Sequence, residues 1–173
     1  MRKKLDQYYT PKTAVNNLLD NLEFPINGTV LEPCNGEGAI SNALKQREIK
    51  VVTNDIDPFN KSDYHFDLSQ SSQWFLLPDT EWVITNPPFN VAPKIIPLAH
   101  HHATIGVIAL LRLSYIEPCK NRVDFLQKYP PNQMIVTPRI SFTGKGTDST
   151  TTAWFVWLKQ DIRIKIPIKV LEK

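Results

Sequence analysis

Cysteine is the first thing this chain has little of. With only Cys34 and Cys119 among 173 residues, it cannot build a cross-linked framework. A disulfide at Cys34 would also distort the turn in which that residue sits, so both read as free thiols of a reducing compartment. Long hydrophobic runs are missing too: no apolar stretch is long enough to span a bilayer, and no membrane is expected as a partner. The start, Met1-Arg2-Lys3-Lys4-Leu5-Asp6, carries basic residues with no apolar run behind them and does not read as a secretion signal, so a cytoplasmic location is expected. Charge of one sign is also in short supply. Twenty Lys and Arg against 17 Asp and Glu leave a net charge of +3, mild for a protein that must neutralise many phosphates. The basic clusters at Arg2, Lys3 and Lys4, at Lys120, Arg122 and Lys128, and at Arg163, Lys165 and Lys169 read first as solvated faces. There are no repeats and no low-complexity linker. One domain over residues 1–173 is the default, large enough to bury a core without staples.

What is present is an alternation of short apolar runs with helical patterns. Thr10 before Pro11 reads as a helix start, an N-cap hydroxyl with proline in the first turn, and Val15, Leu18, Leu19 and Leu22 recur at helical spacing before Pro25. Strands are expected at Thr29–Leu31, Val51–Asp55, Tyr64–Phe66 and Trp82–Thr85, with a helix through Ala39, Ile40, Ala43 and Leu44. Residues 91–103 suggest a helix capped by Asn90 that Pro97 should kink or shorten. Ile105–Leu111 is apolar throughout and reads as a central strand covered on both faces. A helix at Arg122–Lys128 and strands at Met134–Thr137 and Ala153–Leu158 follow, with a Gly/Thr-rich loop, Ser141–Thr152, between the two strands. Trp154 and Trp157 read as strand packing. From Ile162 to Val170 apolar and basic residues alternate strictly, which predicts a strand with a basic outer side, and Pro167 assigns it to an edge. Together these elements predict an α/β fold with a mainly parallel sheet flanked by helices.

Three motifs carry chemistry. The first, Glu32-Pro33-Cys34-Asn35-Gly36-Glu37-Gly38, follows a strand, the place where α/β sheets bind nucleotide-like cofactors. Its glycines let the backbone bend sharply and approach a ligand. Its two acids would repel a pyrophosphate and suit a cation. The second, Asn54-Asp55-Ile56-Asp57-Pro58, stands about twenty residues beyond the glycines, where such folds place an acid for ribose hydroxyls. Asp57 reads as a turn acceptor. The third, Asn86-Pro87-Pro88-Phe89, ends another buried strand. His100-His101-His102 is a tempting metal cluster, but consecutive residues cannot converge on one ion from a helix, and no metal is expected.

These motifs, with Tyr8-Tyr9-Thr10-Pro11 before them, resemble the S-adenosylmethionine-dependent amino-group methyltransferases, in particular the adenine N6 class acting on DNA. The resemblance covers most of residues 8–158 and implies a Rossmann-like sheet of about seven strands with a reversed last strand. It implies S-adenosylmethionine as cofactor. Glu32 would face the methionine part together with Pro33, Gly36 and Gly38; Asp55 would take the ribose, Ile56 would pack on the adenine, and Asp67 would accept from the adenine amino group. Tyr9 and Thr10 would belong to an N-terminal segment, residues 1–24, that closes over the cofactor.

The chemistry at the third motif follows from the acceptor. An exocyclic amine is a poor nucleophile because its lone pair is delocalised into the ring. The Asn86 amide oxygen and the Pro87 carbonyl could accept its two protons and aim the lone pair at the methyl group, with the prolines stiffening the turn. Pro88 and Phe89 would line the target's place, Phe89 offering a flat face to an extruded base. Asn86 would also border the cofactor. The stretch Arg139-Ile140-Ser141-Phe142-Thr143-Gly144 with Ala153-Trp154-Phe155-Val156-Trp157 is similar to the same region of small phage and prophage adenine methyltransferases. Arg139 and Lys145 are its candidate phosphate contacts, and Phe142 would close on the base. The departure is a recognition domain: after Lys159 only one strand, within residues 160–173, is expected, so a separate recognition subunit joins nucleic acid, DNA or RNA, among the implied partners. Rival readings are an RNA adenine or guanine N-methyltransferase, a protein glutamine methyltransferase, and a non-catalytic nucleic-acid-binding subunit.

Overall fold

The computed structural model describes residues 10–138 and 151–172. In these, helices α1 (Lys12–Asn21), α2 (Ala39–Lys45), α3 (Ser71–Trp74), α4 (Ala92–His102) and α5 (Val123–Lys128) accompany strands β1 (Thr29–Glu32), β2 (Lys50–Thr53), β3 (Trp82–Thr85), β4 (Gly106–Arg112), β5 (Gln133–Val136), β6 (Thr152–Leu158) and β7 (Ile168–Val170). The strands form one sheet in the order β2-β1-β3-β4-β6-β5-β7. All neighbours are parallel except β6, which runs antiparallel to both β4 and β5.

Alternating side chains send the core to both sides. Val30, Ile84 and Ile108 pack with Ala14, Val15 and Leu18 of α1 and Ile40 and Leu44 of α2, while Leu31, Val83 and Val107 pack with Ile95, Ile96 and Ala99 of α4. Strand β4 is buried on both faces up to Leu111, as a helix-covered central strand requires. Its first residue must be glycine for a steric reason: a Cβ on Gly106 would lie 2.6 Å from the Trp157 carbonyl oxygen and 2.8 Å from the Trp82 ring. Trp154 and Trp157 are core residues, as expected.

Pro97 does not end α4, against the expectation of a shortened helix, and the helix is preceded by Val91 rather than capped by Asn90. Ile95 and Ile96 are buried on one side of Pro97 and Ala99 on the other. Burying one such isoleucine contributes about 1.5–3 kcal/mol, so the stripe offsets the roughly 3 kcal/mol that a mid-helix proline costs.

Three further expectations are corrected. The strand expected at Tyr64–Phe66 is a single parallel bridge, Asn54 to Tyr64. Without it the sheet has seven strands, the expected C-terminal edge strand, β7, among them. The C-terminal strand is only three residues long, and its faces are the reverse of the predicted ones: Ile166, Ile168 and Val170 are exposed, whereas the Lys169 ammonium donates to the Asn21 carbonyl. Register explains the reversal, because β7 pairs in parallel with β5, Met134 opposite Ile168 and Val136 opposite Val170, with no strand beyond it among the described residues. Finally, Thr10 is not the cap of α1, whose capping position is Pro11 without a side-chain hydrogen bond. Its hydroxyl is used elsewhere.

Candidate active site

Two crossovers leave the middle of the sheet in opposite directions, α2 toward β2 and α4 toward β4, so the chain order reverses between β1 and β3. At such a switch point the helices diverge and open a crevice at the carboxyl ends of the strands. The glycine turn leaves β1 there and Asn86-Pro87-Pro88-Phe89 leaves β3 beside it.

The glycine turn is tied down by its neighbours. Gly36 and Gly38 have φ of +51° and +81°, a region that side chains disfavour, and nothing stands within 4 Å of where a Cβ on Gly36 would be. The Gly36 N–H donates to Asp55 Oδ2 (2.6 Å) and the Asp57 N–H to Asp55 Oδ1 (2.9 Å), so one buried carboxylate joins the ends of β1 and β2. Asn54 does more than sequence suggested. Its Nδ2 donates to the carbonyls of Pro33 (3.0 Å) and Phe66 (3.1 Å), while its Oδ1 accepts from the Phe66 N–H (2.8 Å). The side chain thus bridges the glycine turn and the segment leading to Asp67. The sequence placed Asn54 inside the expected strand Val51–Asp55 without a role of its own; the only available signal was its position at the end of an apolar strand.

Glu32 is almost fully buried at 1% exposure. Its Oε1 accepts from the Cys34 N–H (3.0 Å), whereas Oε2 is buried without a hydrogen bond of ordinary geometry, even though the Thr85 hydroxyl stands close enough to favour its ionised form. Burial dominates over that hydroxyl, and with help from the Asp55 charge raises its pKa from 4.5 to about 8. At neutral pH Glu32 is therefore a neutral acid. Burial and the two carboxyls also push the half-buried Cys34 thiol well above its ordinary value, which removes it as a nucleophile.

Pro33 is buried and Ile56 is 53% exposed. Asp57 is a turn acceptor as read from the sequence, taking the Phe59 N–H (3.0 Å). Asp67 caps its own turn: its oxygens accept from the Ser69 N–H and hydroxyl and from Gln70 Nε2, contacts that hold its carboxyl below the usual range.

At the second turn Pro87 is buried and Asn86, Pro88 and Phe89 are half-buried. Asn86 Nδ2 donates to the Thr10 hydroxyl (2.9 Å), so the residue misread as a helix cap reaches across the sheet end to this turn. The Arg112 guanidinium, at the end of β4, lies 4.7 Å from the centre of the Phe89 ring. Neither contact was legible in the sequence. Tyr9, Arg139, Phe142 and Lys145 lie outside the described residues. His100 and His102 face different neighbours, His100 the rings of Phe125 and Tyr129 and His102 that of Trp74.

No protein-family model and no curated protein sequence matches the chain. Solved structures do. A protein of Listeria monocytogenes assigned to the class I S-adenosylmethionine-dependent methyltransferases superposes with a TM-score of 0.64 at 13% identity, over 97% of this chain and 66% of that one. One of Pyrococcus horikoshii assigned as an RNA methyltransferase gives 0.66 at 17% identity, over 90% and 86%. A modification subunit of a type I restriction enzyme from Vibrio vulnificus gives 0.62 at 12% identity, over 94% and 45%. This chain therefore spans 66% of the Listeria protein and less than half of the Vibrio subunit. At these identities the likeness establishes the fold, which is the Rossmann-like class I methyltransferase fold.

Proposed function

We propose that the chain is an S-adenosylmethionine-dependent methyltransferase that modifies the N6 amino group of adenine in DNA. The observation that carries this reading is the adjacency, across one switch point, of an acid-bearing glycine turn and Asn86-Pro87-Pro88-Phe89. The residues present fit the cofactor. Glu32 keeps a buried oxygen with only the Thr85 hydroxyl near it and no hydrogen bond of ordinary geometry, the space over Gly36 is open, and Ile56 offers an exposed aliphatic face. Glu32 would meet the cofactor's cationic methionine end, Asp55 its ribose, Ile56 its adenine and Asp67 the adenine amino group, with Thr10 over the site. When bound, the cofactor supplies an electrophilic methyl group carried on a sulfonium.

The chain's own work is orientation. With Asn86 Nδ2 donating to Thr10, Oδ1 is the acceptor end of the amide, and it would take one amine proton while the Pro87 carbonyl takes the other. Pro88 and Phe89 would form the wall against which the base stacks, worth roughly 1–3 kcal/mol. Neither role needs a strong acid or base at the amine.

The likeness to a type I modification subunit supports DNA as the polymer. A second reading, an RNA adenine or guanine N-methyltransferase, is favoured by the likeness to the Pyrococcus RNA methyltransferase, of which the chain spans 86%. Labelled S-adenosylmethionine offered with duplex DNA, single-stranded DNA, RNA and protein extract, followed by nucleoside analysis, decides between them. N6-methyladenine from DNA is expected; label in RNA nucleosides or only in protein would overturn the DNA assignment.

A further inference from the structure

One cation that touches the Asn-Pro-Pro-Phe turn has no role in the reading above. Arg112 is the last residue of β4, half-buried, with its guanidinium over the Phe89 ring at 4.7 Å. Its Nε is buried and makes no hydrogen bond. Among the described residues no carboxylate lies within ion-pair distance of it, in contrast to Arg47, paired with Asp20 at 2.7 Å, and to Arg122, near Glu117 and bonded to the carbonyls of Ser114 and Glu117. A partly desolvated guanidinium without an anion is costly, and its planar fork of donors matches phosphate oxygens. The cation–ring contact with Phe89 compensates for part of that cost.

We propose that Arg112 binds a phosphodiester oxygen of a nucleic-acid substrate, next to the base that enters between the two turns. This rests on the methyltransferase reading and deepens it by naming a substrate contact. The chemistry favours a polynucleotide over a peptide. A base cannot reach Phe89 without bringing the phosphates of its own sugar, whereas a glutamine side chain presents a neutral amide and brings no fixed anion. Phe89 and Arg112 thus form a pair in which the ring reads the base face and the cation holds the backbone beside it.

The test is binding of short single-stranded DNA and RNA oligonucleotides containing one adenine, by fluorescence anisotropy from about 50 to 200 mM salt, with full-length wild type, Arg112→Gln and Arg112→Lys. Arg112→Gln should weaken binding about tenfold at low salt. It should also make the plot of log affinity against log salt shallower by roughly 0.7 for single strands, the loss of one neutralised phosphate. Arg112→Lys should restore the slope and leave a raised KM, since an ammonium cannot lie flat on Phe89. Melting temperature and S-adenosylhomocysteine affinity should be unchanged. The polymer whose slope responds is the substrate class. An Arg112→Gln slope equal to that of wild type overturns the proposal; if that variant does not fold, a wild-type KM for Arg112→Lys overturns it instead. A wild-type protein that binds neither polymer but methylates protein defeats the underlying reading, a result that does not resemble failure of Arg112 alone.

Discussion

The two turns at the head of the sheet are rigid for different reasons. The glycine turn after β1 is soft backbone held by many short hydrogen bonds from close neighbours: Asp55 on Gly36, Asn54 on Pro33, and the Ser41 hydroxyl on Asn35 Oδ1 (2.6 Å). The turn after β3 is stiff by covalent structure, two prolines in four residues. Its two candidate side chains, Asn86 and Phe89, meet Thr10, which precedes α1, and Arg112, which ends β4. One turn is organised by the strand beside it. The other meets elements outside its own strand, the segment before α1 and the end of β4. On the function proposed above such a division fits the chemistry, because the cofactor side would hold its shape through each turnover and the substrate side would let the target in and out.

The comparison breaks most sharply at Asn86. Asn86→Ala should cut turnover on the order of 100-fold or more by losing amine orientation, while S-adenosylhomocysteine affinity measured by calorimetry stays within about twofold. Retained turnover would remove the orienting role. Asn54→Ala attacks the other turn. It leaves the carbonyl of Pro33 and both backbone groups of Phe66 without this partner. A loss of roughly 2–4 kcal/mol in denaturant unfolding is expected, with cofactor binding weakened as a consequence. Equal stability to wild type would mean that the turn holds itself.

Glu32 sharpens the comparison through pH. Its folded pKa of about 8 lies above the unfolded value near 4.5, so the folded protein holds an extra proton in that window and the cofactor-free form loses stability as pH rises through it. A cationic ligand favours the carboxylate. Binding at pH 7 should therefore release close to one proton, seen as a buffer-dependent calorimetric enthalpy, and affinity should climb with pH up to about 8. In Glu32→Gln the proton release should vanish, affinity should fall about 10- to 100-fold, and the stability loss between pH 4.5 and 8 should shrink. The smallest effect is expected at Thr10. Thr10→Val keeps the shape and removes the hydroxyl that Asn86 donates to, so kcat should drop a fewfold, about 1 kcal/mol, with no change in melting.

Much of this was legible in the sequence, and the limits are physical. Both turns, the strands before them and the central β4 could be read because glycine, proline and apolar runs act locally. What periodicity cannot give is a neighbour. The alternation from Ile162 to Val170 marked an edge strand, and Ile162 and Ile164 do pack on the core, but within β7 the buried face depends on register with β5, and that reversed the assignment at Ile168 and Val170. Tyr64 to Phe66 had strand composition, yet Asn54 uses its side chain for the backbone groups of Phe66, so a ladder there shrank to one bridge. The resemblance brought Thr10 toward the cofactor but not to Asn86, and Arg112 meets Phe89 only in the assembled sheet. A hydroxyl before a proline and an arginine after an apolar run carry local meanings that fit equally well.

The place of β6 has a consequence for the growing polypeptide. Because β6 lies between β4 and β5, neither of those earlier strands can complete its pairing until residues 152–158 have been made. At roughly 5–20 residues per second, β4 waits for several seconds with an apolar ladder open on one side. The parallel half, β2-β1-β3-β4, can meanwhile assemble and expose that edge at the ribosome. A nascent chain halted near residue 138 should therefore be the form that chaperones retain, and release should come with synthesis of Thr152–Leu158.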